Sequence, residues 1–380
     1  MGATTFTTTL VDNVRARRWR SFDAQLFLYM GLLIVLGVVM GYSAGYAEAG
    51  AGAGMSQTVK TLIWAIIGLI IFFVAASVDY HWLQTLTVPV YLVVLGLLTL
   101  TLFIGSSLFG AQLSITVAGL DFQFSEVSKV LMIAVLASFL SGRREKIGKL
   151  STLVGAAVLM AIPTALVFRQ PDLGTALVFV AILIGMLFMS GASIGWMGIF
   201  AGATVAVAPL VVQSLADYQR QRLFCFLDPT ADPQGACYQL IQSLNAVGSG
   251  GLFGQGLTAG RQNQLGFLPV QSTDFIFTVV AEELGFVGSV LLLGIFALLI
   301  WRILVIGWGA RDALGAIVAT GIASMLLFQI LVNVGMVTGI MPVTGIPLPF
   351  ITYGGSSLIS LLFAMGILQS VRMHSRKHTF

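Results

Sequence analysis

The chain has 380 residues, 57% of them hydrophobic and 9% charged, against about 45–50% and about 25% in an ordinary soluble domain. So few polar side chains cannot cover a globule of this size, which excludes a soluble enzyme and points to an integral membrane protein. The formal charge of +4 comes from too few ionisable groups to suggest nucleic-acid binding, whereas 43 glycines suit close helix packing and 26 phenylalanines a lipid-facing surface.

Crossing about 30 Å of hydrocarbon takes about 20 apolar residues per helix. In chain order about ten such spans are expected, at roughly 25–44, 59–78, 84–104, 124–141, 151–168, 173–190, 193–213, 275–300, 313–338 and 356–372. The alternating pattern of a membrane barrel is absent. The expected fold is therefore all-α, one polytopic membrane domain over residues 1–380. A basic start, the first apolar stretch and Ala47-Glu48-Ala49 imitate a signal peptide, but that stretch is about twice a usual signal core, so an uncleaved span is expected.

The basic residues set the topology. Arg15, Arg17, Arg18 and Arg20 precede the first span, and Arg143, Arg144, Lys146 and Lys149 separate the fourth from the fifth. Arg302 and Arg311 fall between the eighth and ninth, and Arg372, Arg376 and Lys377 follow the last. With ten spans these thirteen share one side, which the positive-inside rule makes cytoplasmic together with both termini. Lys60, Arg169, Arg220, Arg222 and Arg261 fall on the other side, and Lys129 lies within a span.

One large extracytoplasmic loop is expected between the seventh and eighth spans, at about residues 214–274, with turns and short interfacial helices. It holds both cysteines, Cys225 and Cys237, on the oxidising side; a disulfide and two free thiols are both compatible with their spacing. Its cluster Gly248-Ser249-Gly250-Gly251-Leu252-Phe253-Gly254-Gln255-Gly256 has no following Gly-Lys-Ser/Thr, so a nucleotide loop is excluded. A pyrophosphate cradle is conceivable, and a flexible loop is the simpler expectation.

Ions inside the apolar segments cost about 2.5–3.5 kcal/mol each on insertion scales and so mark sites of use. Glu126 and Lys129 are three residues apart on one helical face: either a structural ion pair or a polar cavity wall for an anionic or sugar group. In Arg169-Gln170-Pro171-Asp172-Leu173-Gly174-Thr175, Asp172 fits an N-cap, and Arg169 beside it suits a phosphate at a helix N-terminus. Asp274, in Ser272-Thr273-Asp274-Phe275, lies at the outer surface beside the loop. It is either a solvated cap or a general base, since a carboxylate in a partly apolar cleft has a raised pKa. Glu282 and Glu283 lie about 12 Å further along the same helix and point in different directions, which favours a structural role. Pro342-Val343-Thr344-Gly345-Ile346-Pro347-Leu348-Pro349-Phe350 cannot be helical and must form a buried re-entrant turn or a cavity mouth. Tyr353-Gly354-Gly355-Ser356-Ser357 then opens the final span. The three histidines, His81, His374 and His378, are on the cytoplasmic side, and no metal-ligand spacing is apparent.

These segments resemble, in order, those of the SEDS family (shape, elongation, division and sporulation proteins). The matching stretches are Gln123-Phe124-Ser125-Glu126 with Lys129, Gln170-Pro171-Asp172-Leu173-Gly174, Phe226-Leu227-Asp228-Pro229, and Tyr238-Gln239 with Gln242-Ser243. They continue with Gly248-Ser249-Gly250-Gly251, Thr273-Asp274-Phe275-Ile276-Phe277, Asn333-Val334-Gly335 and the stretch from Pro342 to Ser356. Short tails favour the RodA branch of that family. The resemblance implies a ten-span peptidoglycan glycosyltransferase that joins lipid II units through a sugar 4-hydroxyl, with inversion and release of polyprenyl pyrophosphate. It makes Asp274 the leading catalytic residue. It also implies a class B penicillin-binding protein, a transpeptidase, as partner. Arg169, Arg220, Arg222 and Arg261 would hold the pyrophosphate, joined by Glu126, Lys129, Asp172 and Ser356 as substrate-binding candidates. A Mg or Mn ion is a candidate cofactor without a dedicated site. Phe124, Leu113-Ser114-Ile115 and Val270 depart from the family pattern. Two other functions fit such a bundle: a lipid II flippase, and a scaffold that only recruits a transpeptidase.

Overall fold

The computed structural model describes residues 19–49, 51–104, 106–108, 111–117, 120–235, 237–265 and 273–375. Arg15, Arg17, Arg18, Phe267-Leu268-Pro269, Val270, Ser272, Arg376, Lys377 and His378 lie outside the described residues.

Each expected apolar segment is a helix: α1 (Ala24–Ala49), α2 (Ala51–Ser77), α3 (Thr87–Ile104), α4 (Phe124–Ser141), α5 (Leu150–Arg169), α6 (Leu173–Met189) and α7 (Ile194–Ser214). After two short loop helices, α8 (Asp217–Leu227) and α9 (Tyr238–Ser249), come α10 (Ile276–Trp308), α11 (Ala313–Val337) and α12 (Gly355–His374). Among the described residues, α1, α2, α4, α5, α10, α11 and α12 are long and apolar enough to cross a membrane; α3 and α6 are shorter apolar helices. The protein is a multi-pass membrane protein.

The faces of α1 show why. Met30, Leu33 and Met40 are buried against the bundle, while Leu28, Leu32, Val35 and Val39, spaced at helical intervals, are exposed. A helix apolar on both faces is stable only where its outer face meets lipid.

Between α3 and α4 runs an antiparallel meander, β1 (Ser106–Leu108), β2 (Ala111–Val117) and β3 (Leu120–Phe122), which the all-helical expectation did not include. The residues of β2, Ala111-Gln112-Leu113-Ser114-Ile115-Thr116-Val117, alternate apolar and polar, the period-two signal of a strand. Leu113-Ser114-Ile115 therefore sits on a strand.

Three expectations are corrected here. Arg302 is not in a connection: α10 continues to Trp308, and Arg302 Nη2 donates to Asp23 Oδ2 at 2.6 Å, with Nε donating to Oδ1 at 2.9 Å. Arg372, in α12, lies 3.5 Å from the same carboxylate, so the start of α1 and the end of α12 share one face of the bundle. Second, the glycine cluster is not a free loop. Its Gln255 and Gly256 N–H groups donate to the Glu282 and Glu283 carbonyls, while Phe286 and Val287 donate back to Gly251 and Leu252. This exchange patches a break in α10 at Gly285, whose φ of 67° and ψ of −165° belong to glycine territory. Two of its N–H groups are thus committed to α10, and the cluster serves as a splint for that helix. Third, Glu282 and Glu283 do converge on one residue: the Asn263 N–H donates to Glu282 Oε2 at 3.1 Å and Asn263 Nδ2 to Glu283 Oε1 at 3.0 Å. The helix break lets neighbouring carboxylates serve the same loop segment. With Ser43 also donating to Glu283 at 2.6 Å, both acids are structural anchors.

Candidate active site

Four turns of chain meet at one end of the bundle. The first joins α5 to α6. The Asp172 carboxylate accepts from the Thr175 N–H at 2.9 Å, capping α6 as the sequence indicates. The second is α8, whose Tyr218 hydroxyl and Gln219 amide both donate to the Pro171 carbonyl, at 3.1 and 2.8 Å. These bonds clip the loop helix over the Asp172 turn.

The third turn is the non-helical stretch from Pro342 to Phe350. At Gly345 φ is +73°, and a Cβ built there would lie 3.2 Å from Asp274 Oδ2 and 3.9 Å from Arg222 Nη1. Glycine thus provides both the left-handed conformation and the space for the two ionic groups to approach the backbone. The same stretch abuts α6, where a Cβ at Gly174 would come within 2.8 Å of the Thr344 carbonyl oxygen. The fourth turn carries Asp274 itself, just before α10. Asn333, from α11, donates through Nδ2 to the Asp274 carbonyl at 2.9 Å and to the Ile346 carbonyl at 2.7 Å. One buried amide therefore fixes the Asp274 turn to the re-entrant stretch.

Asp274 and Asp172 are each partly buried. Burial pushes the Asp274 carboxyl up to about 6; Arg222 opposes the rise and Asp172 adds to it. Burial also raises Asp172, while its bonds to Thr175 and the Lys129 charge pull it down and Glu126 pushes it up. The charges form a chain from Glu126 and Lys129 through Asp172 to Asp274 and Arg222.

Lys129 Nζ donates to Glu126 Oε1 at 2.6 Å, and both side chains are almost fully buried. The pair lies within α4 and is closed on itself, which favours the structural reading over an open cavity wall. Its reach toward the site is electrostatic. Arg222 is brought to Asp274, but the other three arginines are not in contact with it. Arg220 Nη2 caps the end of α7 at the Gln213 carbonyl, 3.0 Å away. Arg169 is exposed at the end of α5, and Arg261 is exposed on a one-turn helix above Glu282. Ser356 is buried, its Oγ accepting from the Gln123 N–H at 3.0 Å, where it ties the start of α4 to α12.

The loop cysteines form a disulfide. Cys225 is one helical turn from Arg222 on α8, and Cys237 precedes α9, whose Ser243 donates to the Val337 carbonyl at the end of α11. The bridge thereby connects the Arg222 helix to the bundle.

Tyr218 and Gln219 escaped sequence reasoning because polar residues on a short, half-buried loop helix carry no signal of what they will bond. Asn333 had one, an amide within an apolar helix.

A family model of cell cycle proteins, covering FtsW, RodA and SpoVE, matches residues 23–377. Stage V sporulation protein E of Bacillus subtilis (strain 168) is 41% identical over 320 residues, covering 83% of this chain and 87% of that protein. Peptidoglycan glycosyltransferase MrdB of Escherichia coli (strain K12) is 40% identical over 310 residues, 81% of this chain and 84% of that one. A solved chain from a peptidoglycan synthase complex that coordinates polymerization and crosslinking aligns with a TM-score of 0.77 at 31% identity, over 92% of this chain and 97% of its own.

Proposed function

Since the chain belongs to the FtsW, RodA and SpoVE family of cell cycle proteins and is, like its relatives, a peptidoglycan glycosyltransferase, we propose that Asp274 is its general base. The observation that carries this reading is the placement of one partly buried carboxylate, raised to about 6, beside a guanidinium at a shared glycine.

In the proposed reaction the acceptor's sugar 4-hydroxyl gives its proton to the Asp274 carboxylate as its oxygen attacks the donor's anomeric carbon. The bond from that carbon to the pyrophosphate oxygen breaks, and the departing lipid pyrophosphate takes the electron pair. A base near 6 is ionised at neutral pH yet more basic than an exposed aspartate, which suits proton removal in step with attack. Arg222 stabilises the charge that develops on the leaving group. Inversion follows from attack opposite that group.

Asn333 holds the base against the re-entrant stretch, and the Tyr218–Gln219 clip holds α8 over it. Among the described residues no three acidic, histidine or cysteine side chains gather as a metal-binding set. Lipid II is the proposed substrate, with its polyprenyl tail lying between helices toward the bilayer.

The loop of residues 214–274 faces outward and both termini lie in the cytoplasm; the shared face of Asp23 and Arg372 supports an even number of crossings. By analogy with the synthase complex, a transpeptidase is the proposed partner. The test is polymerisation of fluorescent lipid II by the purified protein with that partner, wild type against Asp274→Asn. Loss of glycan product with intact complex formation supports the base. Transport of lipid II into sealed vesicles without polymer would favour a flippase.

A further inference from the structure

At the opposite end of α10 from Asp274, a cavity of about 260 Å³ lies between three connections. Arg144 reaches it from the turn after α4, Met189 and Ser190 from the end of α6, Trp308 from the end of α10, and Arg311 and Asp312 from the α10–α11 connection. We propose that this cavity binds a phosphate-bearing anion, presented by an anionic phospholipid headgroup.

The charge arrangement comes first. Asp312 lines the cavity, but its carboxylate is already engaged: Oδ1 accepts from the Gly315 N–H at 2.9 Å and Oδ2 is 2.6 Å from His81 Nε2. Ser190 likewise donates to the Met186 carbonyl. The Arg144 and Arg311 guanidinium groups have no hydrogen bond or ion pair among the described residues, and neither belongs to the catalytic end. Two uncommitted guanidinium groups thus line a cavity whose acid is occupied, and a guanidinium fork matches phosphate oxygens.

The surroundings indicate a lipid as the bearer. Trp308 is 90% exposed and Trp301, two turns back on the same face of α10, is 67% exposed. Exposed tryptophan at the end of an apolar helix is placed at the headgroup level of a bilayer. Phe188 and Met189, at the end of α6, are exposed beside the cavity and offer an apolar flank for acyl chains. Basic pockets between helices at this depth bind anionic headgroups. A soluble phosphate would use the two arginines alone, whereas a phospholipid also uses Trp308.

The experiment is native mass spectrometry of the detergent-purified full chain titrated separately with phosphatidylglycerol, phosphatidylcholine and inorganic phosphate. Wild type is expected to retain phosphatidylglycerol in preference to phosphatidylcholine. The Arg144→Gln, Arg311→Gln double variant is expected to bind it roughly thirty-fold more weakly, about fivefold per guanidinium. Arg144→Lys with Arg311→Lys should retain most of the binding, which separates lost charge from lost fold. Trp308→Ala is expected to weaken phosphatidylglycerol but leave inorganic phosphate unchanged. If phosphate binds as tightly as the lipid and Trp308→Ala has no effect, the anion site stands and the lipid assignment falls. If the double Gln variant binds phosphatidylglycerol and phosphate as wild type does, the site itself is refuted.

Discussion

Replacing Asp274 with asparagine keeps the side-chain shape and removes the negative charge together with the capacity to accept a proton. The bond that holds this turn, from Asn333 Nδ2, goes to the Asp274 backbone carbonyl, so the substitution does not release it. Arg222 also stays beside Gly345 and continues to favour departure of the pyrophosphate. The expected loss is therefore that of the base alone, about 10²–10⁴-fold in kcat. That corresponds to about 3–5 kcal/mol of transition-state stabilisation.

Stability should move differently. A carboxyl whose folded pKa lies above its unfolded value contributes stability below the unfolded pKa, and this is lost as pH rises through about 6. At neutral pH the ionised form is thus the less stable one, and the asparagine variant should melt no lower than wild type. The assay pairs gel-resolved polymerisation of fluorescent lipid II with thermal melting of the same preparations. An Asn variant that polymerises within tenfold of wild type would refute the reasoning. A variant that is inactive because it unfolds would show a lowered melting temperature, which the geometry does not allow for.

Three other expectations follow from the same contacts. Lys129→Met leaves Glu126 buried and unpaired and should cost about 3–5 kcal/mol, most of it recovered in Glu126→Gln with Lys129→Met; thermal melting of the four-member cycle measures this. Cys225→Ser with Cys237→Ser should remove up to about 3 kcal/mol of loop stabilisation and lower polymerisation by loosening the Arg222 helix, read by melting and by turnover. Gly285→Ala places a Cβ against the Gly254 nitrogen and forces an unfavourable backbone conformation, for about 1–3 kcal/mol from the backbone alone. Limited proteolysis of the 250–256 segment should then accelerate; an unchanged cleavage rate would mean that the patch over the helix break is dispensable.

Much of the fold can be read from the sequence because helices in lipid are decided by length and hydropathy alone. The Asp172 cap and the Glu126–Lys129 pair are legible for a related reason, since three-residue spacing fixes geometry before any tertiary contact forms. What the sequence hides is convergence. Four arginines look equivalent as outer cations, yet only Arg222 points to the re-entrant turn, because α8 is clipped to Pro171 and presents one face inward. The glycine cluster looks unconstrained until its partner, the break at Gly285, is known. Arg302 reads as a loop cation because α10, at 33 residues, runs well past the length that one crossing needs. The short β meander was legible in the alternation of β2 but overshadowed by the long helices on either side.

The most direct measurement is the pH dependence of kcat/KM for lipid II polymerisation in wild type and in Arg222→Gln. Activity should rise with pH as Asp274 ionises, with its midpoint near 6 in wild type. Removing the guanidinium takes away the charge that favours the ionised form, so in Arg222→Gln the midpoint should move to higher pH. A wild-type profile flat through the acid range, or a midpoint unmoved by the loss of Arg222, would contradict proton removal by Asp274.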